Sequence, residues 1–174
     1  MEMELEFEID KITESIEDAE TGESFDTLVL PVDKADLRGI IKKDGWHFNW
    51  KLELAETDSQ VYKLVTEKEP DVIQGLVSLK RNDRDELVLM SLIESAPHNV
   101  GRRKRYKGVC GNLVAYACKK SKEYGFSGYV SFTAKTILIE HYIKMLKARH
   151  YGGQRMGIEP AEADLLINNY FPKT

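Results

Sequence analysis

Cysteine is scarce in this chain. Only Cys110 and Cys118 occur among 174 residues, without metal-ligand spacing and without a disulfide framework to read. Free thiols in a reducing compartment are therefore expected, and no metal site is. Long apolar runs are missing too: the longest is far too short to cross a bilayer. The opening residues alternate with glutamates, so neither a signal peptide nor a membrane anchor is expected, and the expected location is cytoplasmic. No internal repeat or low-complexity linker breaks the chain. What remains is ordinary globular composition, 42% hydrophobic and 31% charged residues. The length suits one domain over 1–174, with 1–26 as an acidic N-terminal extension packed on it.

The net charge of −4 hides a polarity. Met1 to Asp26 hold 11 acidic residues and one basic one, a segment charge of −10. Gly101 to Arg155 hold 13 lysines and arginines against Glu123 and Glu140, a charge of +11. Such a chain offers one face to an anionic ligand, unless the basic surface is simply solvated and balanced by the acidic arm.

Met1 to Asp10 alternates apolar residues with acids, the period of a half-buried strand. An extended segment follows at 27–32 and a helix at Lys34 to Lys43, ended by Gly45. "WHFNWKLEL", 46–54, alternates without declaring its type. Residues 61–67 and 72–79 flank the turn-like "KEPD" as an antiparallel hairpin. The nearly continuous apolar run 86–95 predicts a central strand covered on both faces. Val109 to Tyr124 is the clearest helix, with an apolar stripe, lysines at its C-terminal end and Gly125 to stop it. A strand at 129–134 follows, then a helix at Ile137 to Ala148 with Thr136 as N-cap. A strand at 154–159 and a helix opened by Pro160 complete the chain. The order predicts an α/β (α+β) fold: a mixed, mostly antiparallel sheet flanked by helices.

The segment "RYKGVCGN", 105–112, carries the chemistry. A helix begins there directly after a buried strand and a basic stretch. The first turn of a helix has unpaired N–H groups and a partial positive charge. Glycines let a diphosphate approach that backbone, and Arg105 and Lys107 add charge.

Here the sequence resembles the GNAT-type N-acetyltransferases, whose Arg/Gln-x-x-Gly-x-Gly/Ala signature grips the pyrophosphate of acetyl-CoA. "RYKGVCG", then "GFSGYVSFTAKT" and "LIEHYIKML", carry the resemblance, which covers about 27–159. It implies a sheet whose two central parallel strands splay around the cofactor. It implies a cradle of Arg105, Lys107, Gly108, Val109, Cys110, Gly111 and Asn112. Ser95 and Ala96 would meet the pantetheine arm and the acetyl carbonyl, and Tyr142 would be the acid for the departing thiolate. The sequence departs from the pattern in Cys110 at the second small position, in the long "PHNVGRRK", in Lys135 and Thr136, and in "LKA" after the tyrosine helix.

An attacking amine must be neutral, although a lysine-like amine has a pKa near ~10.4. A carboxylate, or a water held by one, can take that proton. Glu94, at the end of the central strand, is the candidate base, against a structural carboxylate at a strand end. His98 and Asn99, in the loop that follows, are candidates to touch the acceptor. Cys110 as a nucleophile is set against direct transfer in a ternary complex, and direct transfer is preferred. The acceptor would be a small-molecule or peptide amine, itself anionic or RNA-linked in one version, and a homodimer is compatible. Two alternatives stand beside this reading. One is a non-catalytic CoA-binding regulatory protein, the other a nucleic-acid-binding module using the basic 101–155 region.

Overall fold

A computed structural model describes residues 2–11 and 15–171. Met1, within the expected first strand, and 12–14, in the polar stretch after it, lie outside the described residues. A seven-stranded sheet has the order β3-β4-β5-β6-β8-β10-β9. Its strands are β3 (Thr27–Pro31), β4 (Ser59–Thr66), β5 (Gly75–Asn82), β6 (Leu87–Ser95), β8 (Val130–Thr133), β9 (Arg149–His150) and β10 (Arg155–Ile158). All neighbours are antiparallel except β6 and β8. A small second sheet, β2-β1-β7, joins β1 (Ile16–Asp18), β2 (Ser24–Phe25) and β7 (Tyr106–Lys107).

The apolar run 86–95 becomes β6 because it is covered on both faces. On one face Gly75 of β5 abuts Val109 and Leu113 of α2 (Val109–Glu123). On the other, Glu53 of α1 (Trp50–Ala55) accepts hydrogen bonds from Ser78 and Ser91. The uncommitted "WHFNWKLEL" thus supplies a helix, opened where the Asn49 side chain accepts from the Leu52 N–H. α2 also packs on α4 (Pro160–Tyr170), and Gly125 ends α2 as expected, at φ +85°.

Two expectations need correction. Lys34 to Lys43 is not one helix but two 3-10 turns, Ala35–Leu37 and Lys42–Asp44, because Gly39 between them takes φ +78° and breaks the helical path. Thr136 does not cap the following helix. It opens a 3-10 turn, Thr136–Leu138, with no side-chain cap, and α3 (Ile139–Leu146) continues from there.

The segment expected to be the first strand is extended but makes only one isolated bridge, at Leu5, and it reaches an unexpected place. The sequence suggests cover at a sheet edge or a second subunit. Residues 2–11 instead run into the interior of the sheet, beside β8, with Leu5 bridged in parallel to Ala134. Leu5, Phe7 and Ile9 are buried while Glu4, Glu6 and Glu8 are exposed, as their alternation requires.

Candidate functional site

The parallel pair β6–β8 is joined only at Val88–Val130 and Leu89–Ser131. Beyond that point the strands part: β6 runs on to Ser95 against β5, and β8 stays with β10. A fork opens between them, and the N-terminus of α2 stands at its mouth. A cavity of about 430 Å³ lies in the fork, lined on one side by Ile93, Glu94 and Ser95 and on the other by Leu5, Phe7 and Asp10, with Val109 and Cys110 from α2.

Gly108 is the N-cap of α2 at φ +91°, a left-handed conformation that only glycine adopts without strain. Its N–H donates to the Asp10 carboxylate at 2.8 Å. The other Asp10 oxygen meets the Lys104 ammonium at 2.9 Å, with Glu8 at 3.8 Å. Burial works against the Lys104 charge, but Asp10 and then Glu8 outweigh it and raise its pKa. The helix start therefore already binds an anionic oxygen, and the chain itself supplies it. Among the described residues, nothing accepts from the N–H groups of Val109, Cys110 and Gly111, the remaining donors of the first turn. A Cβ on Gly111 would collide with the Tyr170 hydroxyl and lie 3.1 Å from the Lys11 carbonyl oxygen. Enlarging that residue tests packing as much as any ligand.

The expected cradle divides. Gly108, Val109, Cys110 and Gly111 form the helix start. Arg105 turns aside: its guanidinium pairs with Glu69 at 2.9 Å and lies over the Tyr106 ring. Lys107 is in β7, paired with Glu17 of β1. Asn112, one position too far around the helix, points to β3, where its Nδ2 donates to Thr27 at 3.2 Å, and its buried Oδ1 has no partner among the described residues. Cys110 is buried 3.2 Å from the Ser95 hydroxyl, and burial pushes its thiol up to about 12. At neutral pH it is a thiol and a poor nucleophile.

Glu94 lines the cavity, with Trp50 Nε1–H donating to one oxygen at 2.8 Å and the His47 N–H to the other at 2.7 Å. It ties the 46–50 segment to β6, yet a carboxylate retains further lone pairs toward the cavity. Ala96 is buried and uses its N–H on the Gln74 carbonyl. His98 and Asn99 are fasteners for the loop after β6. His98 Nε2 lies 2.8 Å from Gln74 Oε1, while Asn99 donates to the same oxygen and to the Gln74 carbonyl and accepts from the Tyr106 N–H. Burial, and Arg105 after it, lowers the His98 pKa against the pull of Glu69.

Tyr142 is fully buried, stacked on Phe7 at 4.4 Å between centroids and edge-on to Phe132. Its hydroxyl donates to the Phe7 carbonyl at 2.7 Å, and burial raises its pKa far above that of a free phenol. His141, one residue earlier, accepts the Ile9 N–H on Nε2 at 3.0 Å. The residues that sequence reasoning missed here are Phe7, Ile9 and Asp10. The acidic alternation of the first ten residues was the available signal, but nothing in it names β8 and α3 as the destination.

No protein-family model matches the sequence, and no curated protein aligns with it. Solved structures share its architecture. A probable acetyltransferase of the GNAT family from Chromobacterium violaceum superposes with a TM-score of 0.56 at 12% identity, over 82% of this chain and 87% of that one. The spermidine/spermine N-acetyltransferase SpeG from Vibrio cholerae superposes with a TM-score of 0.54 at 15% identity, over 79% of this chain and 94% of that one.

Proposed function

We infer that this chain, which has the fold of the GNAT acetyltransferases, is an acetyl-CoA-dependent N-acetyltransferase that acts by direct transfer to an amine. The observation that carries the reading is the fork: two parallel strands joined at only two positions, with the glycine-started helix α2 at the mouth. Asp10 on the Gly108 N–H supports it further, because an oxyanion is already accepted at the point where a diphosphate would sit.

Gly108 and the first-turn N–H groups of α2 would hold the diphosphate, with Lys104 as the nearby cation. Bound acetyl-CoA would supply the acyl thioester. Glu94, directly or through a water, would take the proton of the acceptor amine into its free lone pairs while Trp50 and His47 fix its plane. Tyr142 keeps its proton throughout the physiological range and would be the donor to a departing thiolate, help worth about 10²–10⁴-fold. Cys110 stays protonated and takes no covalent part.

Calorimetric titration with acetyl-CoA and CoA at low and high salt, followed by a thiol-release assay over a panel of amines, tests the reading. Micromolar cofactor binding and amine-dependent thiol release are expected. Binding without release from any amine would favour the regulatory alternative, with the Tyr142 hydroxyl still engaged by the Phe7 carbonyl. Steeply salt-dependent RNA binding without response to CoA would favour the nucleic-acid alternative. That alternative has fewer free cations to draw on, since at least seven of the 13 in Gly101 to Arg155 are in ion pairs within the chain.

A further inference from the structure

We propose that residues 2–11 are a built-in competitor of the coenzyme: an acidic strap that occupies the fork and must leave before the cofactor can bind. The proposal rests on the coenzyme reading above and adds a regulatory step to it.

The strap engages the site group by group. Its backbone completes the inner edge of β8, with Leu5 N–H donating to Thr133 at 2.7 Å and Lys135 N–H donating to Leu5 at 3.0 Å. The Phe7 carbonyl accepts a hydrogen bond from the Tyr142 hydroxyl, and the Asp10 carboxylate accepts one from the Gly108 N–H. The strap thus consumes the sheet edge, the acid and the anion site together. A molecule with a polar arm and a diphosphate would need the same three, so strap and coenzyme exclude each other. The charge pattern agrees. Glu2 pairs with Arg155, Glu6 with Lys135 and Asp10 with Lys104, so the acids of the arm answer the basic face one by one. An anionic coenzyme would compete for that same positive field.

The strap is held by hydrogen bonds, ion pairs and three buried side chains, with no covalent lock, so displacement is an equilibrium. The observed affinity is then the intrinsic affinity multiplied by the fraction of molecules with the fork open. Loosening the strap must raise affinity without touching any group that would contact the coenzyme.

The test uses the full chain. Hydrogen–deuterium exchange of the 2–11 region is followed during titration with CoA, and CoA affinity is measured for wild type, Phe7→Ala and Asp10→Asn. The expected result is faster exchange in 2–11 as CoA saturates, together with at least tenfold tighter binding by Phe7→Ala. CoA binding that leaves exchange in 2–11 unchanged or slower overturns the strap alone, because coenzyme and segment then coexist. Equal affinity in wild type and both variants does the same. Failure of CoA to bind variants whose 2–11 region exchanges freely overturns the coenzyme reading itself. The wild-type exchange experiment decides the matter if neither variant folds.

Discussion

At the scale of single residues, the site is made of groups with two obligations. Tyr142 is a candidate acid and also the only described donor to the Phe7 carbonyl. Tyr142→Phe keeps the stacked ring but leaves that buried oxygen unpaired, a cost of about 1–3 kcal/mol. Urea denaturation should show a lower midpoint with an unchanged slope. His98 is a second case. Its pKa is lowered in the folded protein, so the unfolded chain binds the proton more readily and folding loses stability as pH falls. The loss begins as pH drops through the unfolded value near ~6.5 and ends below the folded value. Thermal melts of wild type and His98→Gln should therefore differ by a constant amount above neutrality, and the difference should move in the variant's favour through the mildly acidic range.

At the scale of elements, the strap is the telling one. Its apolar anchor is three buried side chains, Leu5, Phe7 and Ile9, worth about 1.5–3 kcal/mol each, whereas β6 is paired along its whole length with β5 and packed under α2. Without any ligand, the Leu5 and Ile9 amides should exchange through local opening, well ahead of the amides of β6, and native-state exchange in low denaturant would reveal it. Elements with strong periodicity were legible in the sequence: β4, β5, β6, α2, β10 and α4 lie within a few residues of their expected spans. The unread ones have a physical reason. β1, β2, β7 and β9 are two or three residues long, too short for any period to show. The destination of the first segment was unreadable because its hydrogen bonds to the rest of the chain span 94 to 159 residues of sequence. The same holds for the site, where the start of α2 was legible from its glycines but the Gln74 that claims His98 and Asn99 was not.

At the scale of the whole molecule, the two ends of the charge distribution meet. Residues 2–11 of the acidic arm lie against the +11 region, where Glu2, Glu6 and Asp10 screen part of that face. A triple variant, Glu2→Gln, Glu6→Gln and Glu8→Gln, should uncover it and elute from a heparin column at higher salt than the wild-type chain. Equal elution would mean that the arm does not screen the basic surface in solution.

The fork also sets an order of events during synthesis. Residues 2–11 leave the ribosome well before the groups that receive them, from Lys104 to Tyr142, which come about a hundred residues later. Until then the arm has apolar residues without cover and carboxylates without counter-charges. Docking such distant partners is among the slower steps a chain can take. Should the arm dock last, a newborn molecule would pass through an interval with the fork between β6 and β8 still open, and a coenzyme of the proposed kind would meet it unguarded.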